Sequence, residues 1–184
     1  PASPARARDH QLRHAPLDDR VGGLTELHGA RPLVVLDPKL GGPGPVTFDK
    51  LQDWTKRPEP GVKYYSGEAV YETTFDLPAG SDGSNKRVFL DLGKIKNVAS
   101  VQLNGKNLGI VWTAPWRVEI TGAVKPAGNQ LIIGTTNLWP NRLIGDAGLP
   151  PEKRLTKTNV KKFTKDSPLL ESGLLGPVTI QVAE

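Results

Sequence analysis

Cysteine is absent from the 184 residues. That excludes disulfides, thiolate nucleophiles and cysteine-based zinc sites, while leaving the compartment open. Histidine is nearly absent too: the three, His10, His14 and His28, all precede the first clear strand pattern. A Ser-His-Asp arrangement or a histidine-based metal site therefore has little to draw on. No apolar run approaches the ~20 residues that span a bilayer, so no membrane segment is predicted. The opening PASPARARDHQLRH has no apolar h-region, and no signal peptide is visible in it. A mature secreted protein, or an excised domain, would look the same. The net charge of +5 is modest for this length and falls short of a dedicated nucleic-acid binder.

What is present suits one β-rich domain. The length allows a single well-buried core, and 37% hydrophobic with 23% charged residues fits a soluble globular chain. Twenty glycines and seventeen prolines imply many turns, which favours short strands over long helices.

The organising stretch is Val98 to Ile120. Asn104-Gly105 separates two alternating apolar runs, and Asn-Gly is the strongest short hairpin signal because both central residues must take positive φ. With that turn, Leu103 should pair with Lys106 and Val101 with Leu108. Ala99, Val101, Leu103, Leu108 and Ile110 would share one face, and Ser100, Gln102, Asn107 and Gly109 the other. Trp112 and Trp116 follow, four residues apart around Ala114-Pro115, beside a strand end that proline keeps open.

Around this hairpin the chain reads as follows. Residues 1–23, rich in Pro, Ala and Arg, read as a flexible arm with little to bury, and residues 24–184 as one domain. Leu33 to Leu36 is a short first strand. The Gly41-Gly42-Pro43-Gly44-Pro45 loop is a poor phosphate cradle, since its prolines remove amide donors and no Lys-Ser/Thr pair follows. Phe48, Leu51 and Trp54 stand at helical spacing and suggest a short helical turn of core residues. Glu68 to Leu77 alternates with period two. Val88, Leu90 and Leu92 form an inward row, as do Trp116, Val118 and Ile120. Leu131 to Asn137 is a further strand, and Val178, Ile180 and Val182 close the chain. About eight short strands, with no helix longer than two turns, predict an all-β fold: an antiparallel β-sandwich of jelly-roll type. Residues 138–176 form a long loop with almost no strand pattern, and loops of this length in a compact domain are usually functional or disordered.

Several elements together resemble a known family. They are Tyr64-Tyr65-Ser66-Gly67 with Tyr71 and Phe75; Val101-Gln102-Leu103-Asn104-Gly105 with Leu108-Gly109 and Trp112-Thr113-Ala114-Pro115-Trp116; Asn137-Leu138-Trp139-Pro140-Asn141-Arg142-Leu143-Ile144-Gly145-Asp146; and Ser172-Gly173-Leu174-Leu175-Gly176-Pro177-Val178. They resemble the sugar-binding, galactose-binding-like β-sandwich of bacterial glycoside hydrolases. The C-terminal domain of the family 106 α-L-rhamnosidase-like enzymes is the nearest match, with a looser likeness to family 2. The likeness covers roughly Leu33 to Val182, and the Asn-Leu-Trp to Gly-Asp segment is its most specific part. It implies a secreted or periplasmic accessory module attached to a catalytic barrel that carries the catalytic carboxylates. It also admits Ca2+, with no ligands assigned, and requires no other cofactor.

The residues themselves support sugar binding on physical grounds. Pyranose rings have apolar C–H faces that stack on indoles, and their hydroxyls need planar polar partners. Trp112, Trp116 and Trp139 with Asn137, Asn141, Arg142 and Asp146 supply both. Trp116 also suits a core position, and Arg142 with Asp146 also suits an ion pair bracing the loop. Three other readings stay open. The domain could dock on a missing catalytic barrel, exposing a large apolar patch when alone. It could hydrolyse glycosides with a carboxylate pair drawn from Asp146, Glu152, Asp166 and Glu171. Or Lys153, Arg154, Lys157, Lys161, Lys162 and Lys165 could hold an acidic polysaccharide, which suits this charge better than nucleic acid.

Overall fold

The computed structural model describes residues 21–27, 32–77, 79, 86–159 and 162–183. Among them are the strands β1 (Val21–Glu26), β2 (Leu33–Leu36), β3 (Gly44–Thr47), β4 (Glu68–Phe75), β5 (Arg87–Asp91) and β6 (Lys94–Lys96). Then come β7 (Val98–Leu103), β8 (Lys106–Val111), β9 (Arg117–Glu119), β10 (Asn129–Thr136), β11 (Gly173–Gly176) and β12 (Thr179–Ala183). Two short helices, α1 (Pro60–Lys63) and α2 (Pro140–Ala147), are added. A six-stranded sheet in the order β3-β2-β4-β10-β7-β8 packs on a four-stranded sheet in the order β1-β12-β5-β9, and β6 pairs with β11. Neighbouring strands run antiparallel throughout. The antiparallel β-sandwich expected from the sequence is the fold.

Alternation builds the core. From the larger sheet Ala69, Tyr71 and Phe75 point inward on β4, Ala99, Val101 and Leu103 on β7, and Leu131 and Ile133 on β10. They meet Val88 and Leu90 of β5 and Ile180 of β12. Phe89, out of phase with this row, is nevertheless buried, because the guanidinium groups of Arg87 and Arg117 lie 4.9 and 4.6 Å from its ring centroid.

The central hairpin forms at Asn104-Gly105, with φ of 52° and 80°, and Leu103 does face Lys106. Its register then departs from the simple alternation. Gln102 opposes Asn107 but Val101 opposes Gly109, so Leu108 is an extra residue in a β-bulge. The Asn107 side chain accepts the Gly109 N–H at 2.8 Å, and Gly109 takes φ of 98°. One inserted residue flips the facing of everything beyond it. Val111 therefore packs on the core and Ile110 is 59% exposed, against the expectation that Ile110 shares the inward row.

Four further expectations shift. Twelve strands among the described residues stand where about eight were expected, because β1, β3, β6 and β11 are too short or too glycine-rich to show a period. Val21, Gly22 and Gly23 belong to β1, paired with β12, so the predicted arm is shorter; residues 1–20, with His10 and His14, lie outside the described residues, as does His28. Phe48 and Trp54 are fully buried as expected, but the chain between them is irregular and the helical turn begins only at Trp54. The long loop at 138–176 contains α2 and β11.

Candidate functional site

The register places the site. Thr136 of β10 pairs with Val98 of β7, and Ala99 pairs with Val111 of β8. The segments leaving β10 (Leu138-Trp139), entering β7 (Lys96-Asn97) and leaving β8 (Trp112) therefore meet at one end of the six-stranded sheet. With strands about 4.8 Å apart, the outer two are separated by roughly 10 Å, and Asn97 immediately precedes the strand between them.

Two of the four tryptophans are open there: Trp112 is 65% and Trp139 67% exposed. Trp139 precedes α2, whose first turn opens on Pro140, where the missing N–H costs nothing. Leu138 is exposed as well. A groove of about 390 Å³ runs beside it, bounded by Lys96, Asn97, Leu169, Leu170 and Glu171. Glu171 is held by Lys94 at 2.7 Å. The Asn97 backbone N–H donates to Thr136 O at 2.8 Å, but its side-chain amide and the Lys96 ammonium make no hydrogen bond or ion pair with the described residues, so both are free for a ligand. Sequence reasoning missed Lys96, Asn97 and Leu170. Their only signal was position beside β7 and β11, which means little until β7 is known to lie next to β10.

Other sequence-derived candidates prove to be framework. Trp116 is half-buried and packs on the core, the alternative its period suggested. Asn137 is buried: its Oδ1 accepts the Gly67 N–H at 3.0 Å, and its Nδ2 donates to Tyr65 O at 2.9 Å and Ser172 Oγ at 3.0 Å. Asn141 is buried too, donating to Leu170 O and Ser172 Oγ and accepting from the Leu170 N–H. Both amides are spent knitting the segment after β10 to residues 65–67 and 170–172, which corrects the expectation that they face a sugar. An Asn137→Ala change should lower unfolding free energy by about 3 kcal/mol, since it strands a buried N–H and C=O. In urea the midpoint should fall at unchanged slope; an unmoved midpoint would show that the amide braces nothing.

Arg142 and Asp146 are also buried, with Nη1 3.7 Å from Oδ1. Asp146 Oδ2 accepts from Thr156 N at 2.8 Å and Thr156 Oγ1 at 2.6 Å, tying α2 to the following loop. Burial holds the Arg142 pKa below its ordinary value, while Asp146 pulls it back up. This is the bracing ion pair the sequence also allowed: both side chains are buried, and the Asp146 carboxylate is taken up by Arg142 and Thr156.

Of the other loop carboxylates, Glu152 and Asp166 are exposed. No group of three or more carboxylate or histidine side chains gathers among the described residues. No helix among them is long and apolar enough to cross a membrane.

Comparison with known proteins places this geometry. The solved structure of a rhamnosidase from Novosphingobium sp. PP1Y is similar at 36% identity and a TM-score of 0.79, over 88% of this chain and 15% of that one. A Formosa agariphila protein carrying the provisional name beta-glucuronidase is 41% identical over 74% of this chain, which spans only 14% of that relative's length. A Ruminococcus gnavus beta-glucuronidase, at 23% identity and a TM-score of 0.58 over 87% of this chain and 28% of that one, shares the fold. Residues 54–159 match the family described as glycosyl hydrolase 2 galactose-binding domain-like, more than half of the sequence. The chain belongs to that family of galactose-binding-like glycoside hydrolase domains.

Proposed function

We propose that the chain is a non-catalytic carbohydrate-binding domain of an α-L-rhamnosidase-like, polysaccharide-degrading glycoside hydrolase. Plant or algal oligosaccharides stack on Trp139 and Trp112, and their hydroxyls meet Asn97 and Lys96. The observation that carries this reading is the pair of exposed indoles at one sheet end, with an unpartnered side-chain amide and ammonium on the segment that enters the strand between them. Soluble domains seldom leave two large rings open without a use for them. Stacking needs no cofactor. A polymeric substrate places the work outside the cytoplasm, in a secreted or periplasmic enzyme whose catalytic domain lies elsewhere in the polypeptide.

A glycan array on the purified chain tests the proposal. Binding of neutral oligosaccharides that changes little with salt supports it, since stacking is not an ionic interaction. A second reading follows from the chain spanning about one seventh of the Novosphingobium rhamnosidase and of the Formosa agariphila relative. The open indoles would then pack on the remainder of the parent enzyme, and the array would be blank.

A further inference from the structure

We propose a second site, for the carboxylate or sulfate ester of an anionic saccharide, in the groove between the last turn of α2 and the segments 154–158 and 163–166. This groove encloses about 580 Å³, within the range of small-ligand sites. Leu143, Asp146 and Ala147 form its helical wall, at the i, i+3, i+4 spacing of one helix face. Arg154, Phe163 and Lys165 form the opposite wall.

Three features give the groove its chemistry. Its two cations are unpaired: Arg154 Nε donates to Leu149 O at 2.9 Å, which leaves the rest of the fork free, and Lys165 makes no ion pair with any described residue. A guanidinium fork with a nearby ammonium is suited to a planar carboxylate or a sulfate. Phe163, half-buried, supplies a ring edge or face for the C–H surface of a sugar. Asp166 is exposed at the rim and accepts hydrogen bonds from hydroxyls, while Thr156, whose hydroxyl donates to Asp146, keeps acceptor capacity.

The mixture of signs argues for a saccharide over nucleic acid. Asp146 and Asp166 both line the groove, and a polymer with a charge on every repeat would be repelled by them. A sugar with one anionic group among several hydroxyls fits both kinds of partner. The groove shares α2 with Trp139 but none of the rim's ligand groups, so it stands whether or not the rim binds sugar.

The test titrates the whole chain with matched oligosaccharides, one carboxylated, one sulfated and one neutral, and with a single-stranded oligonucleotide. Each is measured at about 0.1 M and about 0.5 M salt. The paired change Arg154→Gln with Lys165→Gln should weaken binding of the anionic sugar by at least about tenfold and flatten its salt dependence. Lys157→Gln, exposed but outside the groove, should change it by less than about twofold. Neutral-sugar binding should survive the paired change, and the preferred anionic ligand identifies carboxylate or sulfate as the group held. Thermal melts confirm folding, and Lys165→Gln alone serves if the pair does not fold. An equal loss with Lys157→Gln, undiminished binding by the paired variant, or an oligonucleotide bound as tightly as the sugar would each overturn the proposal.

Discussion

Replacing Gly173 with alanine should cost about 3–5 kcal/mol of stability. Two terms add. Gly173 has φ of 100°, in the left-handed region where a Cβ is strained by about 1–3 kcal/mol. A Cβ placed there would also sit 2.2 Å from Trp54 Nε1 and 2.5 Å from Cε2. The indole has nowhere to retreat. Trp54 is fully buried, its Nε1 donates to Tyr71 Oη at 2.6 Å, and it packs edge-on to Tyr65 at 5.8 Å. Tyr71 is fixed in turn: it also accepts the Leu174 N–H, and burial pushes its hydroxyl pKa up to about 12, so it stays neutral. Because Gly173 pairs with Lys96, the displaced strand would carry the floor of the rim groove with it. Denaturant titration gives the number; a loss under about 1 kcal/mol would show that the aromatic cluster yields more readily than its contacts indicate.

Trp139→Ala should reduce oligosaccharide affinity by about ten- to hundredfold while leaving the melting temperature nearly unchanged. Covering a large ring removes apolar area worth about 1.5–3 kcal/mol, and each 1.4 kcal/mol is about tenfold in affinity. The side chain is 67% exposed and braces nothing in the core, so the fold should not register its loss. Trp112→Ala should act in the same direction. Trp116→Ala should instead lower stability, because that ring is packed against the core. Calorimetric titration of the three variants separates platform from packing. Wild-type affinity in Trp139→Ala would remove that residue from the site.

The parts of this fold that the sequence made legible were those governed by local rules. The Asn104-Gly105 turn, the inward rows of β4, β5 and β12, and the burial of Trp54 all follow from turn chemistry or period two. The bulge at Leu108 did not, because one extra residue leaves no mark in the alternation until the partner strand is known. Asn137 and Asn141 were misread for a related reason. An asparagine at a strand end, as Asn137 is, or in a loop without strand pattern, as Asn141 is, looks available, and only the third dimension shows both turned inward onto Ser172. Asn97 was overlooked from the opposite side: it abuts a strand, and nothing local distinguishes a ligand-facing amide from any other. The two open indoles, Trp139 outside every period and Trp112 at a strand end before Ala114-Pro115, were the parts of the rim that the residue pattern could suggest.

At high protein concentration the bulge in β8 bears on whether neighbouring molecules adhere to one another. A sheet's outermost strands offer a ready row of unsatisfied amides and carbonyls to any passing chain. Here one border, β3, contains Pro45, which has no amide to offer, and the other, β8, is kinked at Leu108 with the Gly109 amide already occupied by Asn107. Both margins of the larger sheet are thus closed to fibre-like growth, leaving the indole rim free to stay uncovered without inviting self-association through the backbone.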